Sequence, residues 1–219
     1  VDVILLAKLV SSYLLGSIVG SLVLGKLRGV DIRTQGSGNA GATNALRTQG
    51  KAFAIGTALI DFGKGVLAAA LIAPIAFDAG GPLSLIETQL ACGLAASLGH
   101  CYPVFHGFRG GKGAGTLFGM LAFLFPWVAL VVFGLWLLVL MTTGYVGLGT
   151  VIAGIAFPIV LVLMHGWPGG MLTGLAVAAA ALLVFTHRSN LARIAAGSEH
   201  RFERARVLAR LLGGRRGHS

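Results

Sequence analysis

The stretch LFGMLAFLFPWVALVVFGLWLLVLM, from Leu117 to Met141, decides how often this chain crosses an apolar layer. It holds no charged side chain and is long enough for a single membrane-spanning helix. Phe125-Pro126-Trp127 argues against that reading. Proline lacks the amide hydrogen that a helix interior needs, and it drives the preceding residue out of helical geometry. The pattern predicts two short or tilted helices with a turn near Pro126.

Outward from this stretch, further apolar runs occupy about 3–25, 52–77, 85–105, 148–164 and 170–186. The first, Val3–Leu24, would be about 33 Å long as a helix. It has no basic leader and no A-x-A exit, so it reads as a retained span. Only 11% of the 219 residues are charged, against about 25% in an ordinary soluble domain. With 56% hydrophobic residues and a mean hydropathy of +0.86, the chain cannot cover a water-soluble surface of this size.

Charge placement gives the expected orientation. The loop 26–51 carries Lys26, Arg28, Arg33, Arg47 and Lys51 against Asp31 alone, and the loop 106–116 carries Arg109 and Lys112. Residues 188–216 hold eight arginines: Arg188, Arg193, Arg201, Arg204, Arg206, Arg210, Arg215 and Arg216. All three segments should be cytoplasmic, whereas the loop with Asp78 and Glu87 and no base should lie outside. A basic tail after a span touches anionic lipid more readily than nucleic acid. An outer N-terminus and an inner C-terminus require an odd number of crossings. Six simple runs break that rule, division at Pro126 gives seven, and five follow if one run does not span. The expected fold is an all-α integral membrane protein of seven transmembrane helices, N-terminus outside and C-terminus cytoplasmic. Residues 1–199 would form one transmembrane domain with motif loops at 35–50, 99–116 and 187–199, followed by a basic tail over 200–219.

Glycine, at 34 residues, has about twice its usual share. Gly16, Gly20, Gly144 and Gly147 suit close helix packing. Cys92 and Cys101 lack zinc or redox spacing and read as packing residues.

Polar chemistry falls in four patches. In Gly36-Ser37-Gly38-Asn39-Ala40-Gly41-Ala42-Thr43-Asn44, glycines allow backbone amides to converge on an anion, and Ser37, Thr43 and Asn44 add neutral donors. A helix starting at Ala42 would add the partial positive charge of its N-terminus, and Arg47 a donor fork suited to phosphate. The second patch, Gly107 to Thr116, has the composition of a phosphate cradle, with Gly110, Gly111, Lys112, Gly113 and Thr116. It is not a Walker motif, because His106 stands where the first glycine belongs and Gly113 follows Lys112. In the third patch His187 and Asn190 share a face if the last helix continues, and Glu199 pairs among arginines. In the fourth, Asp61 and Lys64 sit three residues apart within an apolar run. There they either pair with each other or line the base of a polar pocket.

The combination GSGNAGATNALRT, DFGKG, GHCYPVFHGFRGGKGAGT and HRSNLARIAAGSEHRF closely resembles the bacterial membrane glycerol-3-phosphate acyltransferases of the PlsY family, with motifs in the same order over essentially the whole chain. Ala40 stands where that family often has proline, Ala114-Gly115 where it often has Val-Ala, and His106 where it is usually apolar. The H-x-x-x-x-D signature of other glycerolipid acyltransferases is absent, as are D-G-x-x-A-R and G-x-S-x-G. The resemblance implies seven transmembrane helices in the bacterial inner membrane with motifs facing the cytoplasm. It implies transfer of a fatty acyl group from acyl phosphate to the 1-hydroxyl of glycerol 3-phosphate, with neither metal nor other cofactor. Its partners are the two substrates and membrane lipid. Ser37, Arg47 and Lys112 would hold phosphate, assisted by Thr43, Asn44, Asn39 and the loop glycines Gly36, Gly38, Gly41, Gly110, Gly111 and Gly113, with Thr116. His187 and Asn190 would orient the donor or the attacking hydroxyl, and Asp61, Lys64 and Glu199 would support them. A transporter of a phosphorylated solute is the competing class, and the charged pair within the second run would suit it.

Overall fold

A computed structural model of the chain describes residues 2–77 and 81–209. Of the charges that set the expected orientation, Asp78, Arg210, Arg215 and Arg216 lie outside those residues, as does the side chain of Arg204. Among the described residues every regular element is helical.

The chain opens with α1 (Val3–Gly16), capped by Asp2, whose carboxylate accepts from the amides of Ile4 and Leu5 at 2.9 and 3.3 Å. The first apolar run is not one rod. It breaks at Ser17–Val19 and resumes as α2 (Gly20–Leu27), bent 43° from α1. The short α3 (Ala42–Gln49) follows the first polar loop, and α4 (Lys51–Leu67) ends in a π-helical turn, Ala68–Ile72. A Ser84–Glu87 capping box starts α5 (Leu85–Cys101).

The quoted stretch divides where proline requires it. α6 (Ala114–Leu124) stops before Phe125, whose φ of −137° and ψ of 70° leave the helix. Pro126 then opens α7 (Pro126–Thr143) at the first helical position, where no amide hydrogen is needed. The halves are unequal: α6 is short at 11 residues, but α7 has 18 and is long enough to cross a bilayer. α8 (Val146–His165) and α9 (Gly170–Ala195) complete the fold, and α9 carries residues 187–195 of the third motif as unbroken helix.

Among the described residues four helices are long and apolar enough to span: α4 with its π-helical turn, α7, α8 and α9. The bent α1–α2 pair makes a fifth as one broken span. Large apolar side chains such as Leu59, Trp127, Leu130 and Leu163 face outward, as lipid contact demands. Inside, Leu117, Met120, Phe125, Val128, Phe157 and Leu161 join α6, α7 and α8 into one core.

Two helix pairs approach through reciprocal glycines. A Cβ on Gly65 of α4 would strike the Thr116 carbonyl of α6, and one on Gly119 of α6 would strike the Phe62 carbonyl of α4. Likewise Gly16 of α1 meets Ala96 of α5, and Gly99 of α5 meets Tyr13 of α1. Such contacts let backbones pack closely where lipid offers no hydrophobic drive between helices. Gly20 and Gly147 also face close neighbours, Thr57 and Asn190. Gly144 does not serve helix packing as expected: at φ 80° it is the left-handed C-cap of α7. Gly119→Val should lower stability by about 1–3 kcal/mol through overpacking, read as a fall in the thermal unfolding midpoint in detergent.

Candidate active site

The site begins at the break between α1 and α2. There α2 has no side-chain cap of its own. Asp61, on α4, accepts from the Gly20 amide at 3.1 Å and so caps α2 from another helix. Lys64, one turn on, donates to the carbonyls of Gly16 (2.8 Å) and Ile18 (3.1 Å), which the break leaves without helical partners. Lys64 and Asp61 pair at 3.1 Å, both almost fully buried. His100, on α5, completes the group: its Nδ1 lies 2.8 Å from Lys64 Nζ and 3.3 Å from Asp61 Oδ1, so the ammonium is its closer partner. Of the two readings open for Asp61 and Lys64, the mutual pair forms; His100, in an apolar run without charged neighbours, was not singled out.

Both polar loops hang from this frame. Ser21 Oγ of α2 donates to the Ala40 carbonyl at 2.8 Å, and Asn44 is buried beneath the first loop. Asn44 Nδ2 donates to the carbonyls of Ile32 (3.1 Å) and Gln35 (3.0 Å), while Oδ1 accepts from the Ser37 amide (2.9 Å). Expected as a phosphate donor, Asn44 instead shapes the loop, because its amide is fully committed to backbone. Gly36 and Gly38 take left-handed geometry there, at φ 56° and 71°, and leave Ser37 exposed. Asn39 lies beside Gly41, which caps α3. Arg33, also missed, binds Asp31 through two nitrogens and donates to the carbonyls of His106 (2.9 Å) and Arg109 (3.0 Å), joining the two loops.

The glycines of the second loop need another correction. The amides of Gly110 and Gly111 donate to the carbonyls of Cys101 (3.2 Å) and His100 (3.0 Å), and Gly111 packs against the His100 ring. They fold the loop onto the end of α5, with both amides committed to backbone carbonyls there. Gly113, at φ 81°, turns the chain into α6. Thr116 is wholly buried in α6, its hydroxyl without a hydrogen-bond partner and its carbonyl against Gly65 of α4.

Lys112, His187, Asn190 and Glu199 do come together. Lys112 Nζ donates to Asn190 Oδ1, Asn190 Nδ2 donates to Glu199 Oε1 at 3.0 Å, and Arg193 binds Glu199 Oε2 at 2.6 Å. Thr186 Oγ1 donates to the Lys112 carbonyl at 3.0 Å, fixing the loop to α9. His187 Nδ1 lies 2.9 Å from the Leu183 carbonyl. A carbonyl only accepts, so Nδ1 carries the hydrogen and Nε2 keeps its lone pair in the neutral ring. Burial, reinforced by Arg193, Arg188 and Arg47 and opposed by Glu199, pulls the Lys112 ammonium down to about 8. Arg47 is half-buried with no ion pair among the described residues, and its Nε has no hydrogen-bond partner. Four cations thus act on this face against one carboxylate, which Asn190 and Arg193 already engage.

Neither α3 nor α6 has a side-chain cap at its N-terminus. Thr43 from the first and Ala114 and Gly115 from the second line one cavity of about 270 Å³, which continues between Phe118, Trp136 and Leu183. Apart from Thr43 and Thr150 its walls are apolar. Two uncapped helix ends therefore open on an apolar slot, with Lys112 in the loop just before one of them, which suits a ligand with an anionic head and a hydrocarbon chain.

Known proteins match this arrangement. The family model described as glycerol-3-phosphate acyltransferase matches residues 6–197, and residues 198–219 lie beyond it. A glycerol-3-phosphate acyltransferase of Aquifex aeolicus is 42% identical over 191 residues, covering 87% of this chain and 95% of that one. The crystal structure of PlsY, an integral membrane glycerol 3-phosphate acyltransferase, in its glycerol 3-phosphate form superposes with a TM-score of 0.81 at 39% identity, covering 93% of this chain and 98% of that one. Its lysophosphatidic acid form gives 0.80 at 38% identity, with the same coverage.

Lys64→Met should destabilise the fold by about 3–5 kcal/mol, because it strands the Asp61 carboxylate. Adding Asp61→Asn should recover only part of the loss in thermal unfolding, since the Gly16 and Ile18 carbonyls still lack donors. Full recovery would mean that the pair serves only itself.

Proposed function

This chain belongs to the glycerol-3-phosphate acyltransferase family that includes PlsY, and on that premise we propose that it transfers a fatty acyl group from acyl phosphate to the 1-hydroxyl of glycerol 3-phosphate. The products are 1-acylglycerol 3-phosphate and inorganic phosphate. The observation that carries this reading is the opening of two uncapped helix N-termini on one apolar cavity, with Lys112, bonded to Asn190, just before the second of them. Two anion-holding elements suit two substrates that each end in phosphate. Ser37, Thr43 and Arg47 serve one beside α3, and Lys112 serves the other beside α6. The cavity takes the acyl chain.

In the transfer, the substrate hydroxyl oxygen bonds to the acyl carbon, the bond from that carbon to the phosphate oxygen breaks, and the hydroxyl proton passes to the leaving phosphate. An acyl phosphate is a mixed anhydride with a good leaving group, so positioning and charge stabilisation can carry the rate. Lys112 and Arg47 stabilise the departing negative charge, and Asn190 holds Lys112. His187 Nε2 offers a hydrogen-bond acceptor to the hydroxyl and is the rival proton acceptor.

For the membrane, we read the α1–α2 pair, α4, α5, α6, α7, α8 and α9 as seven crossings, with the N-terminus outside and the site at the cytoplasmic face of the bacterial inner membrane. The positive loops support that orientation. α5 and α6, at 17 and 11 residues, are shorter than a full span and so require a locally thin layer or a recessed end.

Purified protein in detergent, given palmitoyl phosphate, should release inorganic phosphate only when glycerol 3-phosphate is present. Ser37→Ala and Lys112→Ala should each lower turnover about tenfold or more. Folded protein that releases none would return the transporter reading. The charge on Lys112 is complete below its pKa of about 8 and is lost above it, so kcat/KM should fall at alkaline pH. Lys112→Arg should remove that limb. His187→Gln, which cannot take the proton, should keep much of the turnover if the donor phosphate is the base. Equal loss in His187→Gln and His187→Ala would assign the base to His187.

A further inference from the structure

Arg47 presents a charge problem that the site itself does not solve. Its guanidinium is half-buried, and burial pulls its pKa below the usual arginine range. Glu199, the carboxylate that acts on it, is engaged by Asn190 Nδ2 at 3.0 Å and Arg193 Nε at 2.6 Å. What touches Arg47 instead is an aromatic face: its guanidinium carbon lies 5.0 Å from the centre of the Phe202 ring.

Phe202 lies past residue 197, where the family model stops, and its segment is tied down at both ends. The amides of Ser198 and Glu199 donate to the Arg193 carbonyl at the end of α9. The Phe202 amide donates to the Gly144 carbonyl at 2.9 Å, and Arg201 Nε donates to the Thr143 carbonyl at 2.8 Å, both in the α7–α8 turn. Arg201 also lies over the Tyr145 ring at 5.4 Å, and His200 packs edge-on against Phe202 at 4.9 Å. The segment crosses from α9 to the α7–α8 turn and brings one ring face against Arg47.

We infer that Phe202 is a positioning residue for Arg47, holding the guanidinium by its ring face without neutralising it. A carboxylate in the same place would fix the side chain equally well but would compete with an anionic substrate. An aromatic face orients the cation and leaves its charge free. The inference rests on the reading above that Arg47 holds a substrate phosphate.

The test is steady-state kinetics of the full-length protein in detergent, varying glycerol 3-phosphate and palmitoyl phosphate in turn. The proteins are wild type, Phe202→Leu, Phe202→Met, Phe202→Tyr and Phe202→Trp, with Phe202→Leu also combined with Arg47→Ala. Phe202→Leu and Phe202→Met should raise KM for one phosphorylated substrate about three- to tenfold, the size of a partly desolvated cation–π contact, with kcat within about twofold. Phe202→Tyr and Phe202→Trp should retain wild-type KM, although tryptophan is the larger change in volume. In the Arg47→Ala background Phe202→Leu should have no further effect. If Phe202→Leu does not fold, the Met, Tyr and Trp series still separates ring character from volume. An unchanged KM in Phe202→Leu and Phe202→Met, beside a damaged Arg47→Ala, overturns this inference and leaves the proposed function standing. An equal loss from Phe202→Leu with and without Arg47 assigns Phe202 a merely structural role and also overturns it. A fully active Arg47→Ala would overturn the reading of Arg47 and the inference with it.

Discussion

Everything polar in this protein depends on how it satisfies one broken helix. At Ser17–Val19 the backbone leaves helical geometry within an apolar run, where an unpaired carbonyl costs free energy that water cannot offset. A lysine on a neighbouring helix supplies the hydrogens, and an aspartate one turn away receives the amide that starts the next segment. Those two charges would be expensive singly in lipid. Together, with His100 beside them, they form a closed set in which each member is another's partner. The same break holds the second loop, because Ser17 Oγ accepts from the Val104 amide at 3.3 Å and Tyr13 donates to the Tyr102 carbonyl at 2.6 Å. The kink is therefore a joint at which α1, α2, α4 and α5 fix the positions of both loops.

From that joint outward, the site follows a rule of separated duties. Residues that shape the loops have their hydrogen-bonding capacity committed internally: Asn44, Arg33 and the amides of Gly110 and Gly111. Residues left with unused capacity are Ser37, Arg47, the first turns of α3 and α6, and one nitrogen of His187. Fixing the scaffold with groups that cannot also bind ligand keeps the remaining donors in place when the site is empty.

The division at Pro126 was legible because proline acts locally, on its own amide and on the residue before it. The break at Ser17–Val19 was not, because nothing in Ser17-Ile18-Val19 forbids a helix. Its cause lies on α4, more than forty positions away in sequence. Lys112, His187, Asn190 and Glu199 could be suspected one by one, since each is a polar residue at the edge of an apolar run. The assembly of Lys112, Asn190 and Glu199 into one chain of hydrogen bonds, with His187 on the same helix as Asn190, is a property of how α9 packs on the second loop. That the amides of Gly110 and Gly111 bind backbone carbonyls was not legible, for a physical reason. A chain that must fold tightly against a helix end and a chain that must wrap a phosphate both need residues without side chains, so composition cannot separate the two uses. His100 and Phe202 lie within two of the recognisable motifs but showed no role there, because an unpaired histidine and a phenylalanine in a basic segment are ordinary until their neighbours are known.

The uncapped ends of α3 and α6 carry a consequence for turnover. Amides at a helix start recognise the charge and shape of an oxyanion, not the molecule attached to it. In the proposed reaction, the inorganic phosphate that leaves the acyl group satisfies them as well as the donor does. On this reading the second product leaves as a competitor for its own birthplace. The rate of a cycle in a cell then answers to the free phosphate level as well as to the supply of substrate.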